Sequence, residues 1–210
     1  MLNKGIIFAT AAASLALGAA ACGSSGTTAS SSSSGQPAAS PSMSSSASTA
    51  STNFGPGCAS VPQSGAGSFS GMSAAPVATA ASANPLLSTL VTAVKKADLV
   101  DTLNSAQGIT VFAPDNSAFA KIPSATLNKI LADKSELTTI LTYHVASGRI
   151  TPAELASGKS IKTLEGGTIT PSKMGSTYEI NKIPVVCGNV QTANATVYII
   201  GSVLTPPAKG

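Results

Sequence analysis

The sequence has no tryptophan, one histidine, one arginine and three cysteines in 210 residues. Only 10% of its residues are charged and 4% aromatic. A nucleic-acid surface needs clustered cations and stacking rings. Here the cations are interspersed with acids from Lys95 onward and form no run, so the formal charge of +4 describes a mildly basic solvated surface. No nucleic-acid partner is expected. His144 and the distant cysteines have no recognisable zinc spacing, so neither metal nor cofactor is expected. A nucleophile elbow is absent: the centre of Gly67-Ser68-Phe69-Ser70-Gly71 is Phe. The glycines from Gly65 to Gly71 miss the dinucleotide fingerprint by one residue and follow no strand.

What is present begins with a targeting pattern. Lys4 gives a positive end, Gly5 to Ala21 is apolar, and Cys22 follows three alanines. That is the layout of a bacterial secretion signal over residues 1–21. A cysteine directly after the small residues resembles a lipoprotein signal, with Cys22 as the lipid attachment site. Ala19 stands where such signals usually carry Leu, and the nearest Leu is Leu17. From Cys22 to Asn53, Ser, Ala, Thr, Gly and Pro predominate and no residue is charged. Such a stretch buries too little apolar surface to order itself. It reads as a tether with a random-coil reach of about 30 Å.

Exported proteins tend to pair their thiols. With Cys22 lipidated, Cys58 and Cys187 remain to form one disulfide; metal ligation is the weaker rival. A bridge between them would close most of the residues from 54 to 210, which form one domain by length.

Within that domain, helices come first. Pro76 to Ala81 reads as a short helix, and Asn84 with Pro85 opens another carrying Leu87, Leu90, Val91 and Val94. Asp98, Ser124 and Ser135 are candidate caps for three more. Between them, Ile109 to Ala113 reads as a strand that Pro114 ends, followed by a helical turn capped by Asp115 and Asn116. Phe112 and Phe119 are the buried rings of this corner. Tyr143-His144-Val145 closes the helical run. Thr151-Pro152-Ala153-Glu154 is a capping box. Strands then follow at Ile161–Leu164, Thr168–Thr170, Thr177–Ile180, Ile183–Val190 and Thr196–Val203, with turns at Gly166-Gly167, Gly175 and Asn181-Lys182. Helices followed by antiparallel strands imply an α+β fold.

Three stretches carry a family likeness. Thr110 to Phe119 resembles the first signature box of the fasciclin domain, Leu141-Thr142-Tyr143-His144-Val145 its central Tyr-His motif, and Ala195 to Pro207 its closing box. The likeness is strongest to a mycobacterial branch with secreted and lipoprotein members, through Gly55-Pro56-Gly57-Cys58, Leu99 to Ser105 and Val185-Val186-Cys187-Gly188. It implies a wedge-shaped β-sandwich ringed by short helices, a Cys58–Cys187 disulfide, and a non-catalytic adhesion or matrix-binding role. Animal matrix members carry an Asp-Ile pair, linked to integrin binding, before the closing box. Asn189-Val190 stands there instead, so that acidic group is missing.

Tyr143, His144, Asp115 and Asn116 are the candidate binding or structural residues. His144 lies among core-like neighbours and lacks the serine and carboxylate of a triad. Tyr143 reads as a core ring with its hydroxyl bonded, and Asp115 as a helix cap. The expected protein is monomeric, non-enzymatic and held at the outer membrane face or wall by its N-terminal lipid. It is expected to bind an extracellular protein or glycan. The alternative is a structural or glycan- or lipid-carrying role within the envelope.

Overall fold

The computed structural model describes residues 53–207. The signal segment, Cys22 and the tether up to residue 52 lie outside the described residues.

Four helices lead: α1 (Phe69–Ser73), α2 (Val77–Ala83), α3 (Ser88–Lys96) and α4 (Val100–Ser105). Strand β1 (Ile109–Pro114) runs into α5 (Asn116–Ala120), then α6 (Ser124–Ala132), α7 (Lys134–Tyr143), β2 (Val145–Ser147) and α8 (Pro152–Ala156). The rest is strand: β3 (Ile161–Lys162), β4 (Thr168–Ile169), β5 (Pro171–Met174), β6 (Thr177–Ile180), β7 (Ile183–Gln191) and β8 (Ala195–Ile200). The main sheet has the order β2-β1-β8-β7-β6-β5, and β3 pairs with β4 separately. The fold is α+β, as its residue pattern implies.

The strands are not all antiparallel. β1 and β8 run parallel at the sheet centre, from Ile109 opposite Ala195 to Pro114 opposite Ile200. Every residue of both strands is buried, which is typical of a strand covered on both faces. Pro114 is therefore the last rung of the ladder, with Asp115 N–H donating to Ile200 O. Side chains alternate between two cores. Ile109, Val111 and Ala113 of β1, with Val197 and Ile199 of β8, face the helices. Phe112, Tyr198 and Ile200 point into a second core with Tyr143, Leu155, Ile169 and Ile180. Phe112 and Phe119 thus serve opposite faces.

Local chemistry explains most element ends. Asn84 accepts from Leu86 N–H and caps not α3 but the 3-10 turn Pro85–Leu87 that leads into it, and Thr151 with Glu154 forms a reciprocal capping box. Asn181 and Lys182 both take positive φ, the backbone of the tight primed turn that joins β6 to β7.

Three expected caps are corrected. Asp98 ends α3 instead of starting α4: it takes φ 56°, its N–H donates to Lys95 O and Leu99 N–H donates to Val94 O. That is the Schellman arrangement, which Asp tolerates because a short polar side chain accepts the left-handed region. At α7 the carboxylate of Asp133 accepts from Ser135 and Glu136 N–H, one position ahead of the first helical residue, so Ser135 lies inside the helix. Ser124 is itself the first residue of α6, and Pro123 holds the cap position. Two elements lack a local signal strong enough to find them: α1, capped by Ser68, and β5, an edge strand that starts with Pro171.

Among the described residues no single helix is long and apolar enough to cross a membrane.

Candidate functional site

Cys58 and Cys187 form a disulfide, with Cα atoms 4.8 Å apart and 129 positions between them in sequence. It fastens the turn after Phe54 to a doubly bulged part of β7. The approach depends on glycine. A Cβ on Gly188 would stand 2.3 Å from the Phe54 ring, and one on Gly55 2.4 Å from Val186 O. The bridge also removes both thiols from any role as metal ligands. Among the described residues no three His, Cys, Asp or Glu side chains converge to hold a metal.

His144 caps the C-terminus of α7 and is almost fully buried. Both ring nitrogens are committed. Nδ1 lies 2.8 Å from Ile140 O, and Nε2 accepts from Leu204 N–H at 2.9 Å. The second bond requires Nε2 to be unprotonated, which places the ring proton on Nδ1 and makes Nδ1 the donor. Burial lowers its pKa from 6.5 to about 4, opposed by the Ile140 bond. Its own carbonyl accepts from Phe112 N–H. His144 therefore ties α7, β1 and the chain after β8 into one joint.

Tyr143 points to the opposite side. Its hydroxyl donates to Thr168 O at 3.0 Å and accepts from Asn181 Nδ2 at 3.3 Å. Gly167 is the matching contact, since a Cβ there would come within 2.9 Å of the ring. Tyr198 donates to Ile150 O, and burial, its largest influence, raises its pKa strongly. Thr110 donates to Gly148 O and accepts from Ile150 N–H. These are buried polar groups with partners, as burial demands.

Asp115 caps α5, accepting from Ala118 N–H at 2.7 Å and Ser117 Oγ at 2.6 Å. Asn116 does something else. Its Oδ1 accepts from Thr89 N–H and its Nδ2 donates to Pro85 O, so it caps α3 from across the fold. α3 has no side-chain cap of its own. Asn104 and Asn194 do the same for α2: Asn104 Oδ1 accepts from Ala78 and Thr79 N–H, and Asn194 Oδ1 from Val77 N–H. Asn194 also donates to Leu103 O and Ala106 O. Although Asn194-Ala195-Thr196 matches a glycosylation pattern, the Asn194 amide is buried and fully used.

The structure thus separates the candidates. His144 lies against the helix-side core, Tyr143 in the second core, and Asp115 and Asn116 at the corner between β1 and α5. They do not converge on one cleft.

A cavity that no sequence motif announces lies between α2, α3 and α4 and the helix-facing side of the sheet. It holds about 180 Å³, with Val77, Leu90, Val94, Val111, Ala113 and Val197 among its walls. Protein interiors rarely leave voids larger than a water molecule. Leu164, half exposed, is among its walls, and Lys95 is its only charged wall residue.

A family model for the fasciclin domain matches residues 85–206. Immunogenic protein MPB70 of Mycobacterium bovis is 48% identical over 162 residues, covering 73% of this chain and 82% of the relative. Cell surface glycolipoprotein MPB83 of the same species is 43% identical over 181 residues, covering 82% and 81%. A solved FAS1 domain pair from the insect cell adhesion molecule fasciclin I superposes with a TM-score of 0.56 at 20% identity. That match covers 65% of this chain and 52% of the insect chain, about half its length. The insect likeness speaks to the fold alone. The matched boxes, the shared sheet architecture and these relatives agree: this chain belongs to the fasciclin-domain family.

Proposed function

We propose that this protein is an exported, lipid-anchored fasciclin domain of the cell surface that binds an extracellular protein or glycan without catalysis. The observation that carries the reading is the commitment of the motif side chains. Both nitrogens of His144, the hydroxyl of Tyr143 and the amides of Asn116 and Asn194 are spent on the fold's own hydrogen bonds. A general base must reach a substrate proton, and His144 reaches none. The family's signature therefore builds a rigid scaffold, and recognition falls to the surface that the scaffold carries.

Location rests on three supports. The N-terminal pattern reads as a lipoprotein signal ending at Cys22. A disulfide persists in oxidising compartments, and this chain has one between Cys58 and Cys187. A 43% identical relative is a cell surface glycolipoprotein by name. Mass spectrometry of the mature N-terminus tests the anchor: a diacylated Cys22 is expected, and an unmodified Cys22 overturns it. Capture of partners by the full chain tests binding. In a deletion strain, loss of attachment with an intact envelope supports adhesion. Turnover of ester or glycoside substrates by the purified protein, abolished in His144→Ala, would overturn the non-catalytic reading.

A second reading, a structural or carrier role within the envelope, is favoured by the apolar cavity beneath α3. Altered wall permeability in the deletion strain is the result that supports it.

A further inference from the structure

The cavity has a shape and a polarity that together select a ligand class. Its floor is built from four neighbouring strands, with Val145 of β2, Val111 of β1, Val197 of β8 and Val190 of β7. Three strand spacings make the floor about 14 Å long. A volume of about 180 Å³ drawn out over that length is a narrow trench. An engineered apolar cavity of about 150 Å³ stays dry and takes benzene. This trench is of the same size class but elongated, which suits a flexible hydrocarbon chain better than a fused ring.

The polar groups near the trench are few. His144 lines it, but Ile140 O and Leu204 N–H occupy both ring nitrogens. Thr142 and Thr192, which also line it, donate their hydroxyls to backbone carbonyls, and Ser82 donates to Thr79 O, so little is left for the many polar groups of a sugar or a peptide. The charge at the walls is one-sided: Lys95 is present and no acid is. Lys95 is exposed and makes no ion pair among the described residues. Leu164, 50% exposed, is one of only two large hydrophobic side chains so exposed among the described residues, and it belongs to this trench. An apolar slot with a lone cation and an exposed leucine is complementary to a chain ending in a carboxylate.

We infer that the trench between α2, α3, α4 and the sheet binds one fatty-acid molecule, its acyl chain over Val111 and Val197 and its carboxylate at Lys95. This gives the carrier reading a ligand class and rests on that reading. Wall permeability of a deletion strain tests the carrier role, and binding by the purified chain tests the ligand class, so the two fail separately.

The experiment is native mass spectrometry and calorimetry of the delipidated full chain with laurate and with dodecanol. One laurate per chain is expected. Ala113→Leu on the floor and Ala80→Leu on the α2 wall fill the trench and weaken laurate by about tenfold or more. Circular dichroism and a cooperative urea transition no lower than the parent's show that each variant is folded. Lys95→Glu weakens laurate by about fivefold while leaving dodecanol unchanged, in keeping with a single exposed ion pair. Absence of saturable binding to the parent chain overturns the inference. So does laurate binding of parental strength in either folded, filled variant. Equal loss of laurate and dodecanol in Lys95→Glu overturns the placement of the carboxylate.

Discussion

The two faces of the central sheet are built to different standards. On the face holding Phe112, Tyr143 and Tyr198 the space is filled by rings and β-branched side chains, and each hydroxyl has a partner. The Phe112 and Tyr198 rings stack with centroids 5.9 Å apart. On the helix face the same two strands present small and aliphatic groups, and the helices above them leave a trench. One sheet thus carries a closed core that fixes the fold and an open one that tolerates a void. The void forfeits packing that the closed face retains, which is the expected trade where a fold keeps room for a ligand.

Substitutions can break this contrast or sharpen it. The largest effect is expected from Phe112→Ala, because the ring is fully buried in the closed face. A loss of about 3–5 kcal/mol is expected in urea melts. A stably folded variant that has lost only partner capture would instead make the corner a recognition site.

Acid is next. His144 is neutral in the folded state with a pKa of about 4, below its ordinary 6.5. The unfolded chain therefore takes up the proton first. Its contribution is fully present above pH 6.5, fades as pH falls, and is gone by about pH 4, a loss on the order of 3 kcal/mol. Glu154, whose pKa is lowered by its bonds to Thr151, adds loss only below its ordinary 4.5. Urea midpoints measured between pH 7 and 4.5 isolate the histidine. A flat profile there would mean that the joint opens without cost.

A matched pair tests the contrast directly. Ala146 is fully buried in the closed face and Ala113 lines the trench. Ala146→Leu is expected to cost about 1–3 kcal/mol by overpacking. Ala113→Leu is expected to leave the melting temperature unchanged or raise it. Equal destabilisation by both would show that the two faces are packed alike. The smallest effect is expected from Asp98→Gly. Glycine relieves the left-handed strain, while the exposed Lys134–Asp98 pair is lost, for a net change within about 1 kcal/mol in the same melts.

The limits of sequence reading follow the same geography. Caps that lie beside their helix, such as Asn84 and Thr151, are legible because Oδ1 or Oγ meets an N–H two or three residues on. Caps supplied from a distance are not. Asn116 reads in sequence as a cap of its own turn and Asn194 as a turn residue, Asn104 lies within α4, and only the fold brings all three to the starts of α3 and α2. The parallel pairing of β1 with β8 has no local signature either, beyond two strands apolar on both faces. The signature boxes reveal the family because they form the central joint. They do not reveal the trench, whose walls are drawn from helices and strands scattered between Met72 and Ile199. Tyr143 and His144, adjacent in sequence, serve opposite cores, so the motif they form is not a cleft.

The parallel pairing at the sheet centre also sets an order of events. β1 emerges well before its partner β8, which is the last strand among the described residues. A chain leaving the ribosome or a membrane channel from its N-terminus cannot complete that pair until nearly all of it has emerged. The thiol of Cys58 likewise waits for Cys187, 129 positions on. Pairings this distant must first overcome loop-closure entropy and make folding slow. The leading half, α1 to α7, spends that interval without the sheet it packs against. Export before folding, followed by assembly in one late step, suits this topology. A nascent chain stalled before Ala195 is expected to remain sensitive to protease throughout.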